Sequence, residues 1–163
     1  MRAVFEALFR GILRIFFRRI EIVGEDKVPT SGPTVLVLNH PNALVDPCIV
    51  VCFSPRPVSF LAKSTLFRMP VVGWLTRLFD SVPVYRREDA ADPAKNRRTF
   101  DMARKLLFGG GVLALFPEGF SHSEPSLQPL KTGAARIALG AASVAGEPVT
   151  IVPAGLFFTD KSR

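Results

Sequence analysis

"TVLVLNHPNALVDP", residues 34–47, decides how this chain is to be read. Thr34 to Leu38 form an uncharged, mostly β-branched and aliphatic run, the pattern of a strand buried on both faces. The run ends on Asn39, His40 and Pro41. Asp46-Pro47 then has the features of a helix start, with Asp at the cap and Pro in the first turn. A buried strand therefore passes through a short loop into a helix, and the loop carries an imidazole and a carboxylate.

The same alternation continues outward from this stretch. "VPTSGP" (28–33) before it is a turn. "PVSFLAK" (57–63) reads as a strand, and "STLFRMPVVGWLTRLF" (64–79) as two short helices split at Pro70 and Gly73. "SVPVYRR" (81–87) is a short strand ending in Arg86 and Arg87. "DPAKNRRTFDMARKLLFG" (92–109) is a helix beginning near Pro93 and closed by the glycines at 109–111. "VLALFPEG" (112–119) is a buried strand with its following loop. "KTGAARIALGAASVAG" (131–146) is a helix of small residues able to lie close on a sheet, and "PVTIVPAG" (148–155) is a last strand. Strands alternating with helices predict an α/β fold: a mixed, largely parallel sheet covered by helices, preceded by an N-terminal amphipathic helix. No internal repeat, low-complexity tract or linker interrupts it.

That first helix is expected over residues 1–20, "MRAVFEALFRGILRIFFRRI". Arg2, Glu6, Arg10, Arg14 and Arg18 recur every four positions and form a slanting charged stripe. Val4/Phe5, Leu8/Phe9, Ile12/Leu13 and Phe16/Phe17 form an apolar stripe beside it. Two readings fit: a helix lying in a membrane interface, or one packed on its own domain.

Composition bounds the rest. The 163 residues suit one domain with a sizeable core, and a 48% apolar content excludes disorder. The longest uncharged run, between Lys27 and Asp46, holds Pro29, Gly32, Pro33 and Pro41 and cannot be one spanning helix. Arg throughout the apolar N-terminus argues against a cleavable signal. A net charge of +7 and a pI of about 10.1 favour anionic partners: nucleic acid, anionic lipid or phosphorylated small molecules. Cys48 and Cys52 are too few for a zinc site and read as buried free thiols.

In a largely parallel sheet, sites gather at the carboxyl ends of the strands. His40, Lys63, Arg86 and Glu118 fall there. Neutral imidazole can take a proton at physiological pH, and a carboxylate on its other nitrogen would fix the tautomer. Asp46 is placed to do this, or simply to cap its helix. Lys63, Arg86 and Arg87 could grip a phosphate, or be solvated surface. Glu118 could hold a substrate hydroxyl or a cation, or be a turn residue. Lys131 and Lys161 are weaker candidates, and His122 reads as a solvated loop residue. No Gly-x-Ser-x-Gly elbow or other activated nucleophile is evident, which favours direct transfer with His as base.

In order along the chain, "NHPNALVDP", "SVPVYRR", "FPEG" with "PLKTGAARIA", and "IVPAG" resemble the four motif blocks of the glycerolipid acyltransferase superfamily. "LAKSTLFRMPVVGWL" is similar to its Lys-bearing stretch, and together these cover most of residues 34–156. The longer loop before "VDP", and "FPEGFSH" followed by "LQPLKTGAARIAL", resemble the glycerol-3-phosphate/dihydroxyacetone-phosphate subgroup.

The resemblance implies an enzyme that moves a fatty acyl group from acyl-coenzyme A or acyl carrier protein to a glycerol-phosphate hydroxyl in phospholipid synthesis. It implies His40 as base, Asp46 as its partner, and Lys63, Arg86, Glu118, Gly119 and Lys131 at the substrate. No metal or cofactor is expected. The expected partners are the acyl donor, the glycerol-phosphate acceptor and an anionic membrane surface, with no nucleic acid. The expected place is the cytoplasmic side of a membrane. Residues 1–22 would be the interface helix and 23–163 the acyltransferase domain, either truncated at its C-terminus or an unusually short member. An acyl thioesterase and a non-catalytic basic module binding anionic lipid are the alternatives.

The chain also departs from the pattern. Five residues, not four, separate His40 from Asp46, which puts Val45 at the usual acid position. Asp80 stands where the second block usually has Gly, and Phe120-Ser121 where the third often has Thr-Arg.

Overall fold

The computed structural model describes residues 1–85, 93–124, 126–145 and 147–159. Five strands form one sheet: β1 (Thr34–Leu38), β2 (Val58–Lys63), β3 (Val82–Val84), β4 (Val112–Leu115) and β5 (Thr150–Ala154). Their order across the sheet is β3-β2-β4-β1-β5, and every described pairing is parallel. Parallel strands need crossovers, which the helices supply. These are α1 (Arg2–Phe16), α2 (Val45–Phe53), α3 (Pro70–Leu78), α4 (Pro93–Phe108) and α5 (Gly133–Ala145).

The apolar runs are continuous because both faces of the sheet are covered. Val35, Leu113 and Leu115 point to one face, against Ala103 and Leu107 of α4 and Ile137, Ala138 and Ala141 of α5. Leu36, Leu38, Val112 and Ala114 point to the other, against Val50 and Val51 of α2. The alanines of α5 let that helix lie close, as its composition predicted. Each fully buried Leu, Ile or Val contributes roughly 1.5–3 kcal/mol.

This layering fixes where a site can form. β1 and β4 are neighbours, yet β1 leads into α2 on one face and β4 leads towards α5 on the other. The loops leaving them diverge, and a crevice opens at their carboxyl ends. At the opposite end of the sheet, Arg56 gathers the strand entrances. Its guanidinium donates to the carbonyls of Pro29 (2.9 Å), Gly32 (3.0 Å) and Gly110 and to the Thr34 hydroxyl (3.1 Å).

Two boundaries differ from the sequence reading. Helix α1 stops at Phe16 rather than Ile20, because Phe17 turns into an extended conformation and its ring packs on Phe158. Residues 64–79 break only at Met69, into a 3-10 turn (Ser64–Arg68) and α3. Gly73 lies inside α3, where a β-carbon would meet the Phe67 carbonyl oxygen at 2.5 Å, so it allows a close approach rather than a break. Asp80 takes a left-handed turn (φ 49°) before β3, a conformation open to glycine and to short polar residues.

Helix α1 packs on its own domain, the second of the two readings. Phe5, Phe9 and Leu13 face the domain, with Phe5 edge-on to Trp74 at 5.5 Å and to Phe79 at 5.8 Å. The charged stripe does not face outward as a unit. Arg2 donates to the Val58 carbonyl at 2.9 Å and Arg10 to the Cys52 carbonyl at 2.8 Å. Val4, Leu8, Ile12, Ile15 and Phe16 are exposed, together with Arg14. No described helix is long and apolar enough to cross a membrane.

Candidate active site

His40 stands two residues beyond β1, at the mouth of the crevice. Its Nδ1 lies 2.8 Å from Asp46 Oδ2, and the Asp46 side chain is fully buried. The Asn42 main-chain N–H donates to the same oxygen at 2.7 Å. Asp46 is therefore not a cap of its own helix. It sits in the first turn of α2, and the exposed turn N–H groups of Leu44 and Val45 reach Asn42 Oδ1 instead, both at 3.3 Å. The extra residue between His40 and Asp46 is absorbed by this Asn42-centred turn.

The consequence for the imidazole is chemical. A carboxylate on Nδ1 holds the proton there and leaves Nε2 as the acceptor. The ring is fixed in plane by Phe116, the residue after β4, with centroids 3.8 Å apart and planes 5° from parallel. Beside it, Asn39 exchanges two hydrogen bonds with the Leu156 main chain, at 3.0 and 2.7 Å. This locks the "IVPAG" segment to the "NHP" segment, a connection that local sequence does not reveal.

A second carboxylate–imidazole pair lies next to the first. Glu118 is fully buried, and its Oε2 accepts from His122 Nε2 and from the Gln128 N–H (3.2 Å). Burial pushes the Glu118 carboxyl up, but the bonds from His122, the Gln128 N–H and the His40 N–H together carry it below the ordinary range. Glu118 does not line the cavity described next. His122 is no solvated loop residue either, since its side chain is only 12% exposed. The sequence offered one hint of this pair: a His four residues after an acid, in a loop.

His40 borders a cavity of about 680 Å³, a size ordinary for a small-molecule site. The walls are mostly apolar and include Phe5 and Phe9 of α1, Cys48 and Val51 of α2, and Leu75 and Phe79 beside α3. The polar lining comprises His40, Lys63, Ser121 and Lys131, which end or follow β1, β2 and β4, with Thr76 and Ser81. Gly119 is there for a backbone reason. It has φ 78°, and a β-carbon on it would lie 2.6 Å from Lys131 Nζ. The Lys131 side chain thus crosses over Gly119, and its main-chain N–H bonds the Pro117 carbonyl at 2.8 Å.

Of the residues singled out in the sequence, the fold brings His40, Asp46, Lys63, Gly119 and Lys131 to one crevice, with Glu118 behind it. Arg86, Arg87 and Lys161 lie outside the described residues. Cys48 and Cys52 are both free; burial raises both thiols, Cys52 to about 11. Among the described residues no cluster of metal-ligating side chains occurs.

A family model described as Acyltransferase matches residues 19–156. The chain belongs to that acyltransferase family. It is 29% identical over 146 residues to a chloroplastic 1-acyl-sn-glycerol-3-phosphate acyltransferase of Brassica napus, covering 89% of this chain and 39% of that protein. It is 41% identical over 76 residues to glycerol-3-phosphate O-acyltransferase 2 of Saccharomyces cerevisiae, covering 45% of this chain and 10% of that protein. The crystal structure of the 1-acyl-sn-glycerophosphate acyltransferase PlsC from Thermotoga maritima superposes with a TM-score of 0.66 at 20% identity. That match covers 93% of this chain and 57% of that chain, and it shows a shared fold. The chain thus spans well under two thirds of the length of these relatives.

Proposed function

We propose that this chain is an O-acyltransferase that moves a fatty acyl group from a thioester, acyl-coenzyme A or acyl carrier protein, to a hydroxyl of a glycerol phosphate. One observation carries the reading: an imidazole whose Nδ1 is held by a buried carboxylate lines a mostly apolar cavity. The cavity suits an acyl chain, each buried methylene contributing about 0.8 kcal/mol. The thioester carbonyl then lies at the mouth, near His40.

The acceptor's phosphate docks on Lys63 and Lys131, with Arg86 as a third cation in the same role. His40 Nε2 takes the proton of the acceptor hydroxyl as its oxygen attacks the thioester carbon. Asp46 steadies the imidazolium that results. Main-chain N–H groups at the mouth hold the oxyanion. The intermediate collapses with cleavage of the carbon–sulfur bond, and the departing thiolate recovers the proton from His40 Nε2. The products are an ester and a free thiol. The exposed apolar stripe of α1 supports a membrane surface as the place of reaction, on the cytoplasmic side, where acyl thioesters are found.

The decisive experiment incubates the purified protein with acyl-coenzyme A and a panel of acceptors, read by mass. The panel holds glycerol-3-phosphate, dihydroxyacetone phosphate, 1-acylglycerol-3-phosphate and a lysolipid without phosphate. Ester on a phosphorylated acceptor, lost in His40→Ala, is the expected result. Free fatty acid alone would make the protein a thioesterase. Acylation of the phosphate-free lysolipid only would remove the role of the cations. Anionic vesicle binding without any turnover would leave a basic lipid-binding module.

A further inference from the structure

We infer that His122 is a positioning residue for His40, acting through Glu118 and through the main chain; this rests on the reading of His40 as base. Two contacts carry it. His122 Nε2 donates to the buried Glu118 carboxylate. The His122 main-chain N–H donates to the His40 carbonyl at 3.1 Å. The His40 N–H also helps to hold the Glu118 carboxyl below its ordinary range. The His40 carbonyl is therefore held by the residue whose ring holds Glu118.

Among the described residues no Lys or Arg forms an ion pair with Glu118, so His122 is its one charged or chargeable partner. A buried carboxylate stripped of a partner is expensive, and the structure around it must yield or take in water. The yielding part would be the loop after β4, which also carries Gly119 and packs Phe116 on the His40 ring. Lys131 anchors the far side of that loop on Pro117. Loss of His122 would thus free the loop on the side of the imidazole, and small displacements of a base are costly in rate. His122 touches neither the cavity nor any group that reacts, so its part is to position.

The test uses His122→Ala and His122→Gln, since the Gln amide can donate from nearly the place of the ring Nε2. Two readouts are taken on protein shown to be folded by its melting curve. One is kcat against KM with acyl-coenzyme A and glycerol-3-phosphate. The other is the low-field proton resonance of His40 Nδ1–H, which the bond to Asp46 deshields and burial protects. His122→Ala should lower kcat about tenfold or more with little change in KM, and should broaden or abolish the resonance. His122→Gln should keep the resonance and stay within about threefold of the original kcat, under half the free energy of a tenfold change. A sharp, unshifted resonance in His122→Ala, or its loss in a folded His122→Gln, overturns the inference. If His122→Ala does not fold, His122→Gln alone decides. If the unaltered protein forms no ester, the proposed function fails, while the resonance still reports on positioning.

Discussion

Phe116 and His40 stack ring on ring, 3.8 Å between centroids, although they leave two different strands. β4 delivers the phenyl ring and β1 the imidazole, and the parallel pairing of those strands sets the spacing. The stack fixes the plane in which Nε2 can meet a hydroxyl. Phe116→Leu keeps the site apolar and removes the stack. Such a contact is worth about 1 kcal/mol, so kcat should fall roughly fivefold in a protein that still folds, its melting temperature lower by about 2–4 °C. An unchanged kcat would mean that Asp46 alone orients the ring.

Asp46→Asn tests the other constraint. An amide can still occupy the buried place and keep the fold, but it can present its NH₂ to Nδ1 and favour the wrong tautomer. The loss of kcat should be on the order of 10³–10⁴, with KM for the acceptor nearly unchanged. Single-turnover kinetics separate the two. A loss under tenfold would return Asp46 to a purely structural role.

The fold was legible in the sequence because strands covered on both faces cannot avoid reading as apolar runs, and β1, β2 and β4 do so. His40 and Asp46 were legible by residue type and closeness along the chain. How Asp46 crosses five residues was not, since it depends on Asn42 taking over the turn N–H groups. Asn39, Arg56 and His122 were hidden for one shared reason. Their partners, Leu156, Gly110 and the His40 main chain, are distant in sequence and carry the contact through backbone atoms, which no residue type announces.

Acid should weaken the protein through Glu118. Its carboxyl is held below the ordinary value in the fold. The stability this provides is fully present above the unfolded glutamate value, about 4.3, and is lost as pH falls through the lower folded value. Denaturant melts of the unaltered protein and Glu118→Gln should therefore differ by a constant amount from pH 6 to 8. The gap should shrink below about pH 4. A gap that stays constant down to pH 3 would show that the ionised form is not what the fold holds.

Removing α1 altogether would be an ambiguous test of membrane binding, because Arg2 and Arg10 hold the Val58 and Cys52 carbonyls and Phe5 and Phe9 wall the cavity. The exposed stripe can be changed alone. Val4→Ser, Leu8→Ser and Ile12→Ser together should leave the melting temperature within a few degrees. They should reduce sedimentation with anionic vesicles by tenfold or more, given roughly 1.5–3 kcal/mol for each large side chain that inserts. Undiminished sedimentation would place the contact elsewhere, on the basic surface.

Phe9 links that helix to the chemistry. It stacks on Phe5 at 4.4 Å, and both residues line the cavity. If the acyl chain lies there, the rings limit how many methylenes fit. Phe9→Leu should move the preferred donor towards longer chains, while Val51→Phe on the facing α2 should move it towards shorter ones. Each methylene gained or lost is worth about 0.8 kcal/mol, or roughly fourfold in kcat/KM between adjacent lengths. Competition assays with mixed acyl-coenzyme A lengths measure the ratio directly. Opposite shifts from the two variants would locate the chain between α1 and α2. Equal losses at every length would mean that the variants only damage packing and the acyl group lies elsewhere.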